Sequence, residues 1–196
     1  VFLTQHFLIN VTSVFSEDIF NKLSHFMGTN PLVQFVLQPI LIFGVIFHFV
    51  MGFYLEILNA KSRKNNYSKF SGGSNSSWIS RNMIFSGGVI LVFLVIHFID
   101  FWIPEMNYKY VEVLPEDPNR YFEELVHKFE SPLKTAIYSF SFIFLALHLL
   151  HGFSSSFKTV GVDSKYYNLI QKGTFLFSVI IPAGFIFIAI FHNLTA

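Results

Sequence analysis

The amino-acid sequence predicts an all-α membrane protein, a single five-helix transmembrane bundle over residues 1–196, and three observations predict it. Apolar residues make up 53% of the chain and aromatic residues 19%, 27 of them Phe, while only 13% are charged; a soluble domain of this size is far less apolar. Four segments carry the roughly 20 apolar residues that a bilayer core requires. The connections between them alternate in charge, as membrane loops do. A net charge of +1 gives no footing for a nucleic-acid partner. With no cysteine, disulfides, thiolate-held iron–sulfur clusters and thiol nucleophiles are all excluded, so any redox cofactor falls to the eight histidines.

The first helix is expected over about residues 1–15. Its run VFLTQHFLINV is half a span, and the first residue is Val rather than Met. The expectation is a numbered chain that begins partway through this helix. A signal peptide is not expected, because a basic leading region and a small-residue cleavage site are both missing from the run. The second helix is expected over 31–58, with Pro31 at its start, where the missing N–H costs nothing. The third is expected over 81–103, ending before Pro104, the fourth over 132–157 from Pro132, and the fifth over 167–194. Pro39 and Pro182 fall inside spans and are expected to kink them. The chain has no fixed-period repeat and no low-complexity tract beyond SGGSNSS.

Loop charge sets the orientation. The connection after the second helix carries Lys61, Arg63, Lys64, Lys69 and Arg81 without an acid, and the one after the fourth carries Lys158, Lys165 and Lys172 against Asp163. The connection from Ser16 to Asn30 holds Glu17, Asp18 and Lys22. The one from Pro104 to Ser131 is acidic, with Glu105, Glu112, Glu116, Asp117, Glu123, Glu124 and Glu130 against Lys109, Arg120 and Lys128. The basic connections and the N-terminus are therefore assigned to the cytoplasm and the acidic ones to the outside. Within the outer segment, PNRYFEELVHKF has the pattern of a short amphipathic helix on the membrane.

His25 and His127 lie in outer connections and read as surface residues. His6, His48, His97, His148, His151 and His192 lie in or near the bilayer, where an ionisable residue is a functional candidate and where a hydrogen bond to a neighbouring helix is the plainer explanation. The pattern favours function. In each of the first four helices the histidine comes about 8–13 residues before the next loop charge, on the order of 12–20 Å below the polar edge. Because successive helices alternate in direction, His6 and His97 share the outer half while His48 and His148 share the inner half. One histidine on each of two helices at matched depth is what a six-coordinate haem needs, since its iron takes an axial nitrogen from each face. Two b haems, stacked through the membrane, account for all four residues.

A glycine follows one turn after the histidine in HFVMG and in HLLHG, so Gly52 and Gly152 leave room for a porphyrin edge. Ser86, Gly87 and Gly88 make a low surface on the third helix, and Gly44 does so on the second; helix–helix packing explains Gly44 and Gly88 equally well. His148 and His151 are three residues apart, and only one can be axial. His148 matches His48 in depth and repeats its HxxxG context. His151, one turn nearer the cytoplasm, reads as a partner for a haem propionate or a quinone oxygen. His192 reads as an interfacial histidine, with a quinone or headgroup contact as the alternative.

FLTQHFLIN, IFHFVMGFYLEI, LVIHFIDFW and LALHLLHGF occur in that order and at a spacing that resembles the dihaem cytochrome b membrane anchor of succinate dehydrogenases and fumarate reductases, of the single-polypeptide, five-helix kind. The resemblance implies axial ligation of the inner, proximal haem by His48 and His148 and of the outer, distal haem by His6 and His97. It implies a non-flavin subunit of an enzyme complex in a bacterial cytoplasmic membrane. A flavoprotein would oxidise succinate, an iron–sulfur protein would pass the electrons on, and a membrane quinone, with menaquinone the expectation, would receive them; a higher oligomer of the complex is compatible with this. Both soluble partners would dock on the basic loops, whose cations Arg81 and Lys158 are candidate propionate partners. The cations also favour the reduced form of the inner haem, so the higher potential is expected there. Two features depart from the family. Its members usually have a shorter connection between the third and fourth helices, and some carry a glutamate, used as a proton path, where this chain has Ala146. The quinone site has no transferable motif. The competing readings are the cytochrome b partner of a membrane hydrogenase or formate dehydrogenase, a histidine-box di-iron membrane enzyme such as a desaturase, and a transporter with buried histidines.

Overall fold

The computed structural model describes residues 1–62, 83–159 and 167–196. The helices among them are α1 (Phe2–Thr12), α2 (Glu17–Thr29), α3 (Gln38–Ser62), α4 (Met83–His97), α5 (Ile103–Met106), α6 (Arg120–Phe129), α7 (Pro132–Thr159) and α8 (Tyr167–Thr195). No strand occurs among the described residues. Four helical runs are long and apolar enough to cross a membrane: Val33–Lys61, Met83–Val111, Pro132–Phe157 and Tyr167–Thr195. The 11-residue α1 is too short to cross by itself, at roughly 16 Å for 1.5 Å per residue. Among the described residues these four are the spans shown of the five that the sequence predicts, and α1 occupies the place of the partial first one.

Two sequence expectations are corrected. The third span does not end before Pro104 but continues to Val111. A π-helical turn, Phe98–Trp102, precedes Pro104, and another, Val33–Leu37, precedes Pro39. In each case the residue four before the proline, Asp100 or Phe35, lies within the wide turn, so the ring avoids its carbonyl and the helix goes on. The connection from Ser16 to Asn30 is not a plain loop but the helix α2. The Ser16 hydroxyl caps it by accepting the Ile19 N–H at 3.3 Å, with Glu17 and Asp18 in the first turn. The amphipathic segment that the sequence predicts between the third and fourth spans forms α6, which buries Leu125 and Phe129.

α2 and α6 lie across one end of the bundle, here called the capped end. The core is concentrated there: Phe20 of α2, Phe93 of α4, Leu125 and Phe129 of α6, Tyr138 and Phe142 of α7, and Ile181, Phe185, Ile188 and Ala189 of α8. Asn21 ties α2 to the start of α6, donating to the Asn119 carbonyl at 3.0 Å and accepting the Phe122 N–H at 2.8 Å. Glu105 pairs with both Lys109 and Arg120, and Lys109 also donates to the Gly28 carbonyl. The Arg120 guanidinium lies 4.1 Å from the Tyr108 ring and 4.4 Å from the Tyr121 ring. Burial alone would lower the Arg120 pKa, but hydrogen bonds to Glu105 and Glu124 raise it above the usual range. Burial, reinforced by Glu105, pushes the Tyr121 hydroxyl up to about 12. Tyr108, Lys109, Arg120, Tyr121 and His25 help to line a cavity of about 250 Å³ at the capped end.

The opposite, open end is packed differently. α7 buries Thr135, Tyr138, Ser141 and Phe142 near its start, whereas no described residue after Phe142 in it is buried. α3 stands off from the other spans, with no buried residue in its apolar stretch, and touches chiefly α4.

Candidate functional site

Successive spans alternate in direction, so a residue late in α1 and one late in α4 meet near the capped end, while residues in the middle of α3 and α7 meet nearer the open end. The histidines fall on these meeting points. The His6 and His97 rings, on α1 and α4, have centroids 5.8 Å apart with planes at 86°. The His48 and His148 rings, on α3 and α7, have centroids 6.1 Å apart with planes at 85°. These are the two combinations that the depth argument selects from the sequence.

The four rings differ in their bonding. Neither ring nitrogen of His97 has a hydrogen-bond partner among the described residues, and its Nδ1 is buried. His48 likewise has no hydrogen-bonded partner among the described residues and is exposed on the standing-off face of α3. The Asn10 amide lies 3.4 Å from His6 Nδ1, a distant contact, while its firm bond goes to the His6 carbonyl at 2.8 Å. His148 is oriented by Ser86, whose Oγ lies 3.1 Å from Nδ1. That hydroxyl has one proton, and it donates it to the Met83 carbonyl at 2.9 Å. Ser86 therefore accepts from His148, Nδ1 carries the hydrogen, and Nε2 is left as a bare donor atom. Fixing one imidazole nitrogen so that the other is free to ligate is the usual support for a metal-bound histidine.

The spacing fits axial ligation. With metal–nitrogen bonds of about 2 Å, two imidazoles on opposite faces of one iron place their centroids roughly 6.3 Å apart. Each ring turns freely about the common axis, so a near-right angle is compatible with ligation. Each site offers a pair of donors. Among the described residues no three His, Asp or Glu side chains converge, whereas a di-iron box needs several donors per centre. Two nitrogen donors per pair is the number that a bis-histidine haem would take.

The remaining sequence candidates are placed as follows. A side-chain carbon at Gly87 would meet His148 Cε1 at 3.7 Å, so this glycine lies beneath a ring of the second pair. At Gly152 it would meet Met83 Cε at 3.8 Å, an α4–α7 contact, while Gly52, Gly44 and Gly88 face open space. His151 is half-buried, with Ser155 Oγ 3.2 Å from its Nε2. Arg81 and the Lys158 side chain lie outside the described residues, as do Arg63, Lys64, Lys69, Asp163 and Lys165. His127 is exposed beside Glu130, as the sequence suggests. His25 departs from expectation: it is half-buried against Tyr121 and its Nδ1 has no partner among the described residues.

His192 is also corrected. It is 1% exposed, and its Nε2 lies 2.8 Å from Ser13 Oγ. Ser13 donates its only proton to the Asn10 carbonyl at 2.6 Å, so His192 is the donor in that pair. This buried pair locks α1 to α8. Sequence reasoning missed Gly184, where a side-chain carbon would lie 2.6 Å from Phe7 Cζ. Here α8 must be bare for the residue beside His6 to pack.

A helical chain with several apolar helices able to cross a membrane, carrying two cross-helix histidine pairs, has the character of a multi-pass membrane protein. Compared with known proteins, the chain matches no family model, no curated protein and no solved structure.

Proposed function

We propose that this chain is the dihaem cytochrome b membrane anchor of a succinate:quinone oxidoreductase. The observation that carries the reading is the pair of juxtapositions, His6 with His97 and His48 with His148, at 5.8 and 6.1 Å between centroids. In this reading α1 supplies the first span of a five-helix bundle in a bacterial cytoplasmic membrane. The outer haem is held by His6 and His97 and the inner haem by His48 and His148. When bound, the two haems supply one-electron relay between an iron–sulfur partner and a membrane quinone, with menaquinone the expected one.

The protein's own part is to hold and shape. Ser86 sets the His148 tautomer so that Nε2 is the nitrogen offered. His192 and Ser13 fix α1 against α8, which sets the depth of His6. The capped end, closed by α2, α6 and the packed aromatic core, excludes water from the outer pair. The standing-off α3 leaves width beside His48 for a large flat group, and exposed Lys61 and its neighbouring basic connection give the flavoprotein and iron–sulfur partners an electrostatic landing surface.

The test is an absorption spectrum of the purified protein with a pyridine haemochrome assay. Two b haems per chain are expected, one lost in His6→Ala or His97→Ala and the other in His48→Ala or His148→Ala. A redox titration should show two waves, with His48→Ala removing the higher. A colourless protein that stays colourless when expressed with haem supplied would overturn the reading, and iron without haem would revive the di-iron alternative. Co-purification of a nickel or molybdenum subunit in place of a flavoprotein would move it to the hydrogenase or formate dehydrogenase class.

A further inference from the structure

One turn beyond His97, the Met83–Val111 span contains an acid that the reading above does not use. Asp100 is 6% exposed and sits in the π-helical turn that follows the histidine. Lys134 of α7 pairs with its Oδ1, and the Tyr138 hydroxyl donates to its Oδ2 at 2.9 Å. Tyr138 is 2% exposed, and its ring centroid lies 6.2 Å from that of His97, so one side chain touches both the carboxylate and the histidine. A charge at membrane depth is costly. A neutral Asn or Ser would join α4 to α7 by hydrogen bonds at lower cost, so the charge calls for its own explanation.

The two ends of the ion pair are not equally screened. The Lys134 side chain is 36% exposed and that of Asp100 is 7% exposed. Solvent damps the field of the ammonium, while the carboxylate acts through the low-dielectric interior. Seen from His97, the pair is net negative. A negative charge beside an axial imidazole stabilises the iron in its more oxidised state, and hydrogen bonding and burial around a ligand are among the means by which a protein sets haem potential.

We propose that Asp100 is a tuning residue that acts through the surroundings of His97 to lower the reduction potential of the haem held by His6 and His97. The proposal rests on the haem reading given above. It also gives the basic connections at the open end a counterpart: cations raise one centre, a buried carboxylate lowers the other, and the difference between chemically identical ligand pairs comes from their surroundings.

The experiment is a spectroscopic redox titration of the purified full chain, as wild type, Asp100→Asn, Asp100→Glu and Tyr138→Phe. Asp100→Asn keeps the shape and an acceptor for Tyr138 but removes the charge. It should raise the lower wave by about tenfold in the reduced-to-oxidised ratio at fixed potential, which for a one-electron couple is about 59 mV. Asp100→Glu retains the charge and should stay near wild type. Tyr138→Phe removes a stabilising donor from the carboxylate and should move the same wave down, which keeps the test open should Asp100→Asn not hold the outer haem. A lower wave that does not move in Asp100→Asn, an equal shift of both waves, or an upward shift in Tyr138→Phe overturns the proposal. A wild-type protein with no haem instead overturns the reading on which it rests, and the two failures are distinct.

Discussion

Gly184→Ala probes the least forgiving contact near the candidate site. The added carbon would lie 2.6 Å from Phe7 Cζ and closer still to Cε2, where ordinary contact begins at 3.4 Å, so the ring must retreat by at least the difference, 0.8 Å. It has little room to do so. Phe7 packs edge-on against Phe185 at 5.4 Å between centroids, and Phe185 is stacked on Phe142 at 5.2 Å and packs against His6 at 5.6 Å. Over-packing of a tight core typically costs 1–3 kcal/mol, and the hemmed ring argues for about 2 kcal/mol. In a chain of 196 residues that corresponds to a fall in Tm of about 4–8 °C. Because the residue displaced is the neighbour of His6, on the haem reading loss of the haem assigned to His6 and His97 should accompany the fall while the other is kept. The assay is thermal unfolding in detergent with the haem-to-protein ratio read on the same samples. Gly173→Ala, in the same helix but facing open space, is the control and should be neutral or slightly stabilising. A Gly184→Ala protein that melts with the wild type and keeps both haems would refute the reasoning.

Three further outcomes are expected. Ser86→Ala removes the acceptor that fixes the His148 tautomer; on the haem reading it should weaken retention of the haem assigned to His48 and His148 by about 10- to 100-fold, measured by haem loss to an apoprotein scavenger, with the other haem unaffected. Glu105→Gln leaves Lys109 and Arg120, with side chains 17% and 11% exposed, without their shared anion and should cost about 3 kcal/mol, the low end for buried pairs because the cluster keeps some solvent contact; chemical denaturation followed by fluorescence checks it. The Tyr121 hydroxyl ionises at about 12 in the folded protein against an ordinary value of 10.0, so the folded state holds this proton more tightly and the associated stability, complete below pH 10, is lost as the pH rises through about 12. The slope of Tm against pH over that window should be shallower in Tyr121→Phe, and identical slopes would remove Tyr121 as its source.

The spans were legible because a bilayer imposes one requirement, about 20 apolar residues, that composition alone reveals. The histidine pairing was legible for a related reason: alternating direction turns a position in the sequence into a depth. What depended on local backbone chemistry was less so. The pattern Ser16, Glu17, Asp18 is an N-terminal helix signature, yet it sits in a polar connection, where it is easily passed over. Pro104 is an ordinary stop signal, and nothing in the sequence before it announces the π-helical turn that absorbs it. The partners of His192 could not be read at all, because Ser13 lies 179 positions away and the contact depends on how closely α1 approaches α8. Gly184 belongs with it: a glycine in an apolar run has several uses, and only the position of Phe7 selects one.

The contrast between His192 and His48 is what favours the proposed reading over its rivals. A transporter or a plain helical bundle can place a histidine at membrane depth, but a neutral imidazole there still has one donor and one acceptor to satisfy, and leaving such groups bare in hydrocarbon costs several kcal/mol. At His192 the donor half of that requirement is met: Nε2 donates to Ser13 and the ring is closed off from solvent. It is not met at His48 or His97, neither of which has a hydrogen-bonded partner among the described residues. Each of these instead faces a second histidine on another span, at nearly the same separation in two places. Two imidazoles facing each other across roughly 6 Å offer each other little. On the proposed reading, an iron between them would satisfy one nitrogen of each ring and would join two otherwise weakly packed spans.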